Sequence, residues 1–175
     1  MEVERGQSST AAAALKTIVF ALVVPGTVVG YIPWRLSGWR LGPPLFIGAR
    51  WLGAAAVLLG LAVLAEAMVR FVRQGQGTPL PLDAPKRLVV VGLYRYVRNP
   101  MYVGFAAGWI GLWVVFGHAN PAAIAAVAAI ALGIHLFVVF YEEPTLRRKF
   151  GRDYEEYCRN VRRWWPRVRA WDKPQ

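Results

Sequence analysis

The sequence predicts an all-α integral membrane protein, a helical bundle of about four transmembrane helices followed by a C-terminal cytoplasmic interfacial helix. Hydrophobic residues make up 56% of the 175 residues, and eight are tryptophan, which is unusual for a soluble domain. Several apolar runs approach the roughly 20 residues that a hydrocarbon core of about 30 Å requires. The length is that of one domain, so a single membrane domain over residues 1–175 is expected.

The distribution of positive charge predicts the topology. The formal charge is +11 with 21 Lys and Arg residues, and most of these flank apolar runs within 70–98 and after 147. The turn around His118 has none. By the positive-inside rule both termini and the basic loop face the cytoplasm. Membrane topology accounts for the charge, so no nucleic-acid partner is predicted. Cys158 is the single cysteine and is expected to be an unpaired thiol.

The first two spans are predicted at about 11–31 and 45–69. Pro25-Gly26 should kink the first span, because proline removes a backbone hydrogen bond. Gly53 and Gly60 should allow close helix contact in the second. Glu66 lies near its cytoplasmic end, where snorkelling to the headgroups and a substrate-facing role are both open. The loop that follows, 70–91, is rich in Gly and Pro.

The third and fourth spans are predicted at 100–116 and 121–141. Asn99 is a candidate N-cap before Pro100, a residue type suited to the first helical position. Pro144 is expected to stop the fourth helix directly after Glu142 and Glu143. The tail from 145 to about 163 then reads as one surface helix that ends at Trp164-Trp165-Pro166.

Two polar islands lie at the ends of these apolar runs, at 92–104 and 141–151. Singly, they could be a helix cap, an aromatic belt and solvated surface charge. Antiparallel packing of the third and fourth spans would bring the islands together. Glu142 and Glu143 could then bind an ammonium or ribose hydroxyls, with Tyr94 beside an adenine-like ring. This mixture suits a zwitterionic, nucleoside-bearing cofactor.

Other site classes lack their sequence signatures. His118 and His135 are the two histidines, and a metal site needs more ligands. The chain has no Gly-rich phosphate loop, no Ser-His-Asp order and no HExxH motif. No metal is therefore predicted, and hydrolase or nucleotide triphosphatase activity has no support.

The two islands resemble those of the integral-membrane methyltransferases that include isoprenylcysteine carboxyl methyltransferases and phospholipid N-methyltransferases. Four motifs carry the resemblance, and it covers roughly residues 86–166. They are Gly92-Leu-Tyr94, Arg98-Asn-Pro-Met-Tyr-Val-Gly104, Glu142-Glu143 with Leu146, and Phe150-Gly-x-x-Tyr154-x-x-Tyr157.

This resemblance implies S-adenosylmethionine bound at the cytoplasmic face by the 86–166 half. The implied cofactor contacts are Leu88, Val89, Tyr94, Asn99, Pro100, Met101, Tyr102, Glu142 and Glu143. Two positions depart from the isoprenylcysteine enzymes, since Asn99 replaces a histidine and Val138 replaces a substrate-binding arginine. Arg98, which could orient an anionic group, and Glu142, which could accept a proton, are the catalytic candidates.

The expected function is methyl transfer from S-adenosylmethionine to a lipophilic acceptor that enters from the bilayer. An isoprenylcysteine carboxylate, a phospholipid amine or an isoprenoid-like molecule is each compatible with it. Two alternatives stay open. A membrane reductase of the sterol-reductase type would use NADPH, and a non-catalytic scaffold would keep the fold without turnover. The expected partners are this acceptor and membrane lipids.

Overall fold

A computed structural model describes residues 26–75, 85–117 and 121–172. It divides into two units, Met1–Trp39 and Arg40–Gln175. The described part of the first unit is a π-helical turn, Gly26–Tyr31, that continues into helix α1, Ile32–Ser37. Most of the predicted first span, 11–31, including the expected kink at Pro25-Gly26, lies outside the described residues.

The second unit begins its helical part with α2, Ala49–Gly75. The predicted span, 45–69, began and ended too early. Gly48, with a φ of +84°, precedes the helix, and positive φ is incompatible with right-handed helix. At the other end the helix continues through Arg70 and Arg73, because arginine is a good helix former even where the apolar pattern has ended.

Helix α3, Pro100–Phe116, has the predicted bounds and packs closely along α2. A Cβ atom added to Gly60 would lie 2.5 Å from the backbone oxygen of Gly104, and one added to Gly53 would lie 2.7 Å from that of Gly111. No real Cβ atom approaches so closely, so the two backbones are in direct contact at these glycines. The predicted close packing at Gly53 and Gly60 is confirmed.

Helix α4, Pro121–Phe137, does not stop at the paired glutamates. A π-helical turn, Val138–Glu142, connects it to α5, Glu143–Phe150. The N–H of Glu143 bonds to the oxygen of Val138, five residues earlier. Pro144 then occupies the first turn of α5, where a missing N–H costs no hydrogen bond. The prediction that Pro144 ends the helix was wrong, because the wider turn before it accommodates the proline.

The tail was predicted as one surface helix, and this is also wrong. Gly151, with a φ of +51°, separates α5 from α6, Arg152–Asn160. The helix ends before the tryptophans, and its inner face is buried. Tyr154 and Tyr157 are each 3% exposed and form a core with Val161 and Trp171.

Residues 161–172, which we call the C-terminal clasp, return across the turn before α3. The N–H of Arg98 donates to the oxygen of Arg162 (2.9 Å), and the N–H of Arg167 donates to the oxygen of Tyr96 (2.9 Å). The order of these pairs is antiparallel. The side-chain hydroxyl of Tyr157 also donates to the oxygen of Tyr94 at 2.6 Å. The clasp and α6 therefore hold residues 94–98, the segment directly before α3, in place.

The apolar helices have the character of a membrane protein. Two stretches in the described residues are long and apolar enough to cross a bilayer, Ala49–Phe71 and Pro121–Phe150. Pro100–Phe116 is apolar but shorter, about 26 Å at 1.5 Å per residue. Large side chains such as Trp51 and Phe140 are 82% and 75% exposed, an arrangement suited to lipid. All described regular structure is helical, with two candidate spans against the four predicted.

The glycine contact between α2 and α3 predicts that Gly60→Ala destabilises the protein. The added methyl would overlap the backbone at Gly104, and overpacking of this kind costs about 1–3 kcal/mol. Gly133→Ala is a matched control, because a Cβ on that helical glycine meets nothing within 4 Å and alanine is the better helix former. Thermal unfolding in detergent, followed by circular dichroism, should show a lower midpoint for Gly60→Ala alone. Equal midpoints for the two variants would contradict the contact.

Candidate functional site

The candidate site lies where three segments of the second unit meet. These are the turn Gly92–Arg95, the start of α3 and the π-helical turn Val138–Glu142. Gly92 has a φ of +54°, and a side chain at this position would overlap the carboxylate of Glu66. Glycine is therefore required to place the turn against α2.

The side chains of residues 88–91, directly before this turn, alternate between two cores, as they do in an extended segment. Leu88 and Val90 pack against the core of α6 and the clasp. Val89 and Val91 belong instead with Tyr94. Leu88 and Val89, both predicted to contact the cofactor, thus face different parts of the molecule, and Val89 is the one on the side of Tyr94.

Tyr94 is 7% exposed and packs with Ala67, Val89 and Met101. Burial raises the pKa of its hydroxyl well above the usual value, and the charges of Glu142 and Glu66 raise this pKa further. The ring is therefore neutral at physiological pH and lies near two carboxylates. Among the predicted contacts, Val89, Tyr94 and Met101 come together in this cluster.

Glu142 faces the start of α3. The hydroxyl of Tyr102 donates to its Oε2 atom at 3.2 Å. Among the described residues, no Lys or Arg side chain forms an ion pair with Glu142. Two predicted cofactor residues are thus brought together, at a carboxyl group that has no such partner in the described residues.

Glu143 has the opposite environment, although it is the next residue. Its side chain is 5% exposed and pairs with Arg98 (3.1 Å) and with Arg163 (2.6 Å). A second hydrogen bond, of 2.9 Å, makes the Arg163 contact bidentate. Successive residues of a helix point about 100° apart, so the two glutamates face different segments. Both oxygens of Glu143 are occupied by protein groups.

Arg98 lies in the same buried network. Its side chain is 9% exposed, and one of its NH groups contacts the sulfur of Cys158. Cys158 is a free cysteine, as predicted. These contacts place Arg98 as a support for Glu143, and its predicted part in the chemistry remains a prediction.

Asn99 precedes α3 at the capping position, but its side chain forms no capping hydrogen bond. The predicted side-chain cap is wrong. The amide of Asn99 instead donates to the backbone oxygen of Arg163 at 3.2 Å, because the clasp passes within its reach. Pro100 does occupy the first turn of the helix and is buried.

Trp164 of the clasp is a contact that the sequence analysis missed. Its indole N–H donates to Nδ1 of His135 at 3.1 Å, and its ring meets the ring of Tyr102 edge to face. The two helices α3 and α4 are thus bridged by the clasp near the site. No group of three or more metal-ligating side chains occurs in the described residues.

Glu66 approaches the site from α2. Its Oε1 atom pairs with Arg70 at 3.0 Å, and its Oε2 atom is buried without a hydrogen-bond partner in the described part of the chain. The site therefore contains three carboxylates in different states. Both carboxylate oxygens of Glu143 contact arginines, and one oxygen of Glu66 contacts Arg70. Glu142 accepts a hydrogen bond from the neutral hydroxyl of Tyr102.

Comparison with known proteins identifies a family. Residues 49–153 match the family model described as phospholipid methyltransferase. A probable protein-S-isoprenylcysteine O-methyltransferase of Oryza sativa subsp. indica is 36% identical over 75 residues, which is 43% of this chain and 38% of the relative. Protein-S-isoprenylcysteine O-methyltransferase B of Arabidopsis thaliana is 35% identical over 75 residues, 43% of this chain and 37% of the relative.

A longer match is to a methanethiol S-methyltransferase of Pseudomonas deceptionensis. It is 28% identical over 163 residues, which is 91% of this chain and 58% of the relative. The chain thus matches less than two thirds of the length of each of these relatives. No solved structure matches the chain.

The network around Glu143 predicts a large loss of stability for Glu143→Gln. The substitution leaves Arg98, 9% exposed, without its anionic partner, and breaking a buried ion pair on one side costs about 3–5 kcal/mol. Glu155→Gln is the same chemical change on the exposed side of α6 and should stay near wild type. Chemical denaturation in detergent micelles measures both. A Glu143→Gln variant as stable as Glu155→Gln would remove the structural role assigned to this carboxylate.

Proposed function

The chain belongs to the phospholipid methyltransferase family, and on that premise we propose that it transfers a methyl group from S-adenosylmethionine to a lipophilic acceptor. The similarity to relatives named as methyltransferases supports the reaction class. The apolar, lipid-suited helices support an acceptor that reaches the site from the bilayer.

The observation that carries the proposal is that no Lys or Arg side chain of the described residues pairs with Glu142. Tyr102 fixes its position, and the surrounding helices are apolar. A carboxylate in such surroundings favours a cationic ligand, since an unpaired charge is costly away from water. S-adenosylmethionine has an ammonium and a sulfonium, and its bound form would supply an electrophilic methyl group. The residues present therefore fit this cofactor.

The protein's own contribution is to align the two reactants and to exclude water. Glu142 would hold the positive end of the cofactor, and the cluster of Tyr94, Val89 and Met101 offers an apolar surface for its adenine ring. The clasp covers the turn through its backbone hydrogen bonds at 95–98. This arrangement requires no metal and no covalent intermediate with the protein.

The acceptor that we propose is an amine or a thiol. A carboxylate acceptor needs a cation to bind it, but Arg98 and Arg163 both pair with Glu143. Val138, at the position of the substrate-binding arginine of the isoprenylcysteine enzymes, is fully buried. An amine or thiol needs no such cation, but it must lose a proton during the transfer.

Loss of the Glu142 charge is predicted to abolish most cofactor binding. A hydrogen bond between an ammonium and a carboxylate contributes about 1.5–3 kcal/mol, so Glu142→Gln should weaken binding of S-adenosylmethionine by about 10- to 150-fold. Methyl transfer from labelled cofactor to membrane lipids should fall in parallel, and the unfolding midpoint should stay close to wild type. Isothermal titration calorimetry of the purified protein measures the binding.

Glu155→Gln is again the control, and NADPH is titrated in parallel. Binding of NADPH without S-adenosylmethionine would favour the reductase, and binding of neither would favour the scaffold. Equal affinity of wild type and Glu142→Gln for S-adenosylmethionine would contradict the proposed cofactor site.

We also propose that the site and both termini face the cytoplasm, on the basis of the Lys and Arg distribution. A cysteine introduced at Ala119 should then be labelled by impermeant reagents only from the opposite side. Cys158→Ser provides the background, because serine keeps a group that can accept a hydrogen bond from Arg98. Labelling of residue 119 from the cytoplasmic side alone would show that the orientation or the number of spans is different.

A further inference from the structure

Glu66 is a carboxylate that the methyltransferase motifs do not include. It lies on α2, outside the 86–166 region that carries the family resemblance. Only one of its two carboxylate oxygens has a partner. Arg70 occupies its Oε1 atom at 3.0 Å. Its Oε2 atom is buried and has no hydrogen-bond partner in the residues described. A buried acceptor without a donor is unfavourable, so this oxygen indicates a ligand that donates a hydrogen bond to it.

This carboxylate lies beside the site already described. A side chain on Gly92 would overlap the carboxylate, so Glu66 packs directly against the turn that carries Tyr94. Ala67, the next residue, is fully buried against the same cluster as Tyr94. After burial, the charges of Glu142 and Glu66 are the causes that raise the pKa of Tyr94. Two carboxylates from different helices therefore lie near one aromatic ring.

We propose that Glu66 is the second carboxylate of the cofactor site and accepts a hydrogen bond from S-adenosylmethionine. This inference rests on the proposed function. The cofactor has two separate groups of donors, the ammonium and the ribose hydroxyls, and each needs an acceptor. Glu143 is not available for either, because Arg98 and Arg163 occupy it. Glu142 supplies one acceptor and Glu66 supplies the other.

The competing explanation is an ordinary ion pair on the helix surface. Glu66 and Arg70 are four residues apart, and such pairs on a helix surface contribute little to stability. In that case Glu66 would only pair with Arg70 and would not contact the cofactor. Removing either partner would then have the same effect, which makes Arg70→Gln the matched control for Glu66→Gln.

The test measures binding of S-adenosylhomocysteine to wild type, Glu66→Gln and Arg70→Gln by isothermal titration calorimetry. Glu66→Gln should bind about 10-fold or more weakly, as expected for loss of a hydrogen bond to a charged group. Arg70→Gln should bind close to wild type, because it leaves the carboxylate in place. Unfolding midpoints without ligand, and their shift on adding ligand, report whether each variant is folded and still binds.

A second ligand, 5′-methylthioadenosine, identifies the donor, since it keeps the ribose but lacks the amino-acid part. If Glu66→Gln weakens both ligands, Glu66 binds the ribose hydroxyls. If it weakens S-adenosylhomocysteine alone, Glu66 binds the ammonium. Both results support the proposal.

Unchanged affinity for S-adenosylhomocysteine in Glu66→Gln, or an equal loss in Arg70→Gln, overturns the role of Glu66. The proposed function survives that result if Glu142→Gln still loses binding. A wild-type protein that binds no S-adenosylhomocysteine and no S-adenosylmethionine overturns both.

Discussion

The buried ion group of Glu143, Arg98 and Arg163 is the interaction on which the site depends. Each member comes from a different segment, namely α5, the residues before α3, and the clasp. Burying an unpaired charge is far more costly than burying a paired one. The side chains of Glu143 and Arg98, 5% and 9% exposed, therefore need each other, and Arg163, which is 29% exposed, completes the pairing of Glu143. The proposed cofactor site depends on this assembly, because Glu142 directly precedes Glu143 and Tyr102 donates a hydrogen bond to Glu142.

The two adjacent glutamates show how a helix can use one sequence pair for two purposes. The π-helical turn before Glu143 adds a residue to the turn and changes the direction in which the following side chains point. It also accommodates Pro144, whose missing N–H would otherwise interrupt the helix. As a result Glu143 reaches the clasp while Glu142 stays on the side of α3. The same π-helical turn thus separates a carboxylate that pairs with two arginines from one that pairs with no described Lys or Arg.

The sequence predicted those features that depend on local pattern. Helix α3 begins at a proline and ends before a glycine with positive φ, and both signals are readable. The close helix contact at Gly53 and Gly60 of α2 was predicted from their small side chains. The clasp was not predictable, because its contacts with the segment before α3 join residues more than 60 positions apart, such as Asn99 and Arg163. The break at Gly151 was also missed, since the amphipathic pattern continues on both sides of it and only tertiary packing requires the turn.

The methyltransferase motifs divide into two groups once the contacts are known. Tyr94, Tyr102 and Glu142 surround the proposed cofactor position, whereas Arg98, Asn99 and Glu143 hold the clasp. A motif residue is therefore not by itself a ligand contact. The replacement of histidine by asparagine at position 99 falls in the second group, since the Asn99 amide binds the clasp backbone. The difference at this position therefore concerns how the clasp is held, and asparagine, unlike histidine, cannot titrate.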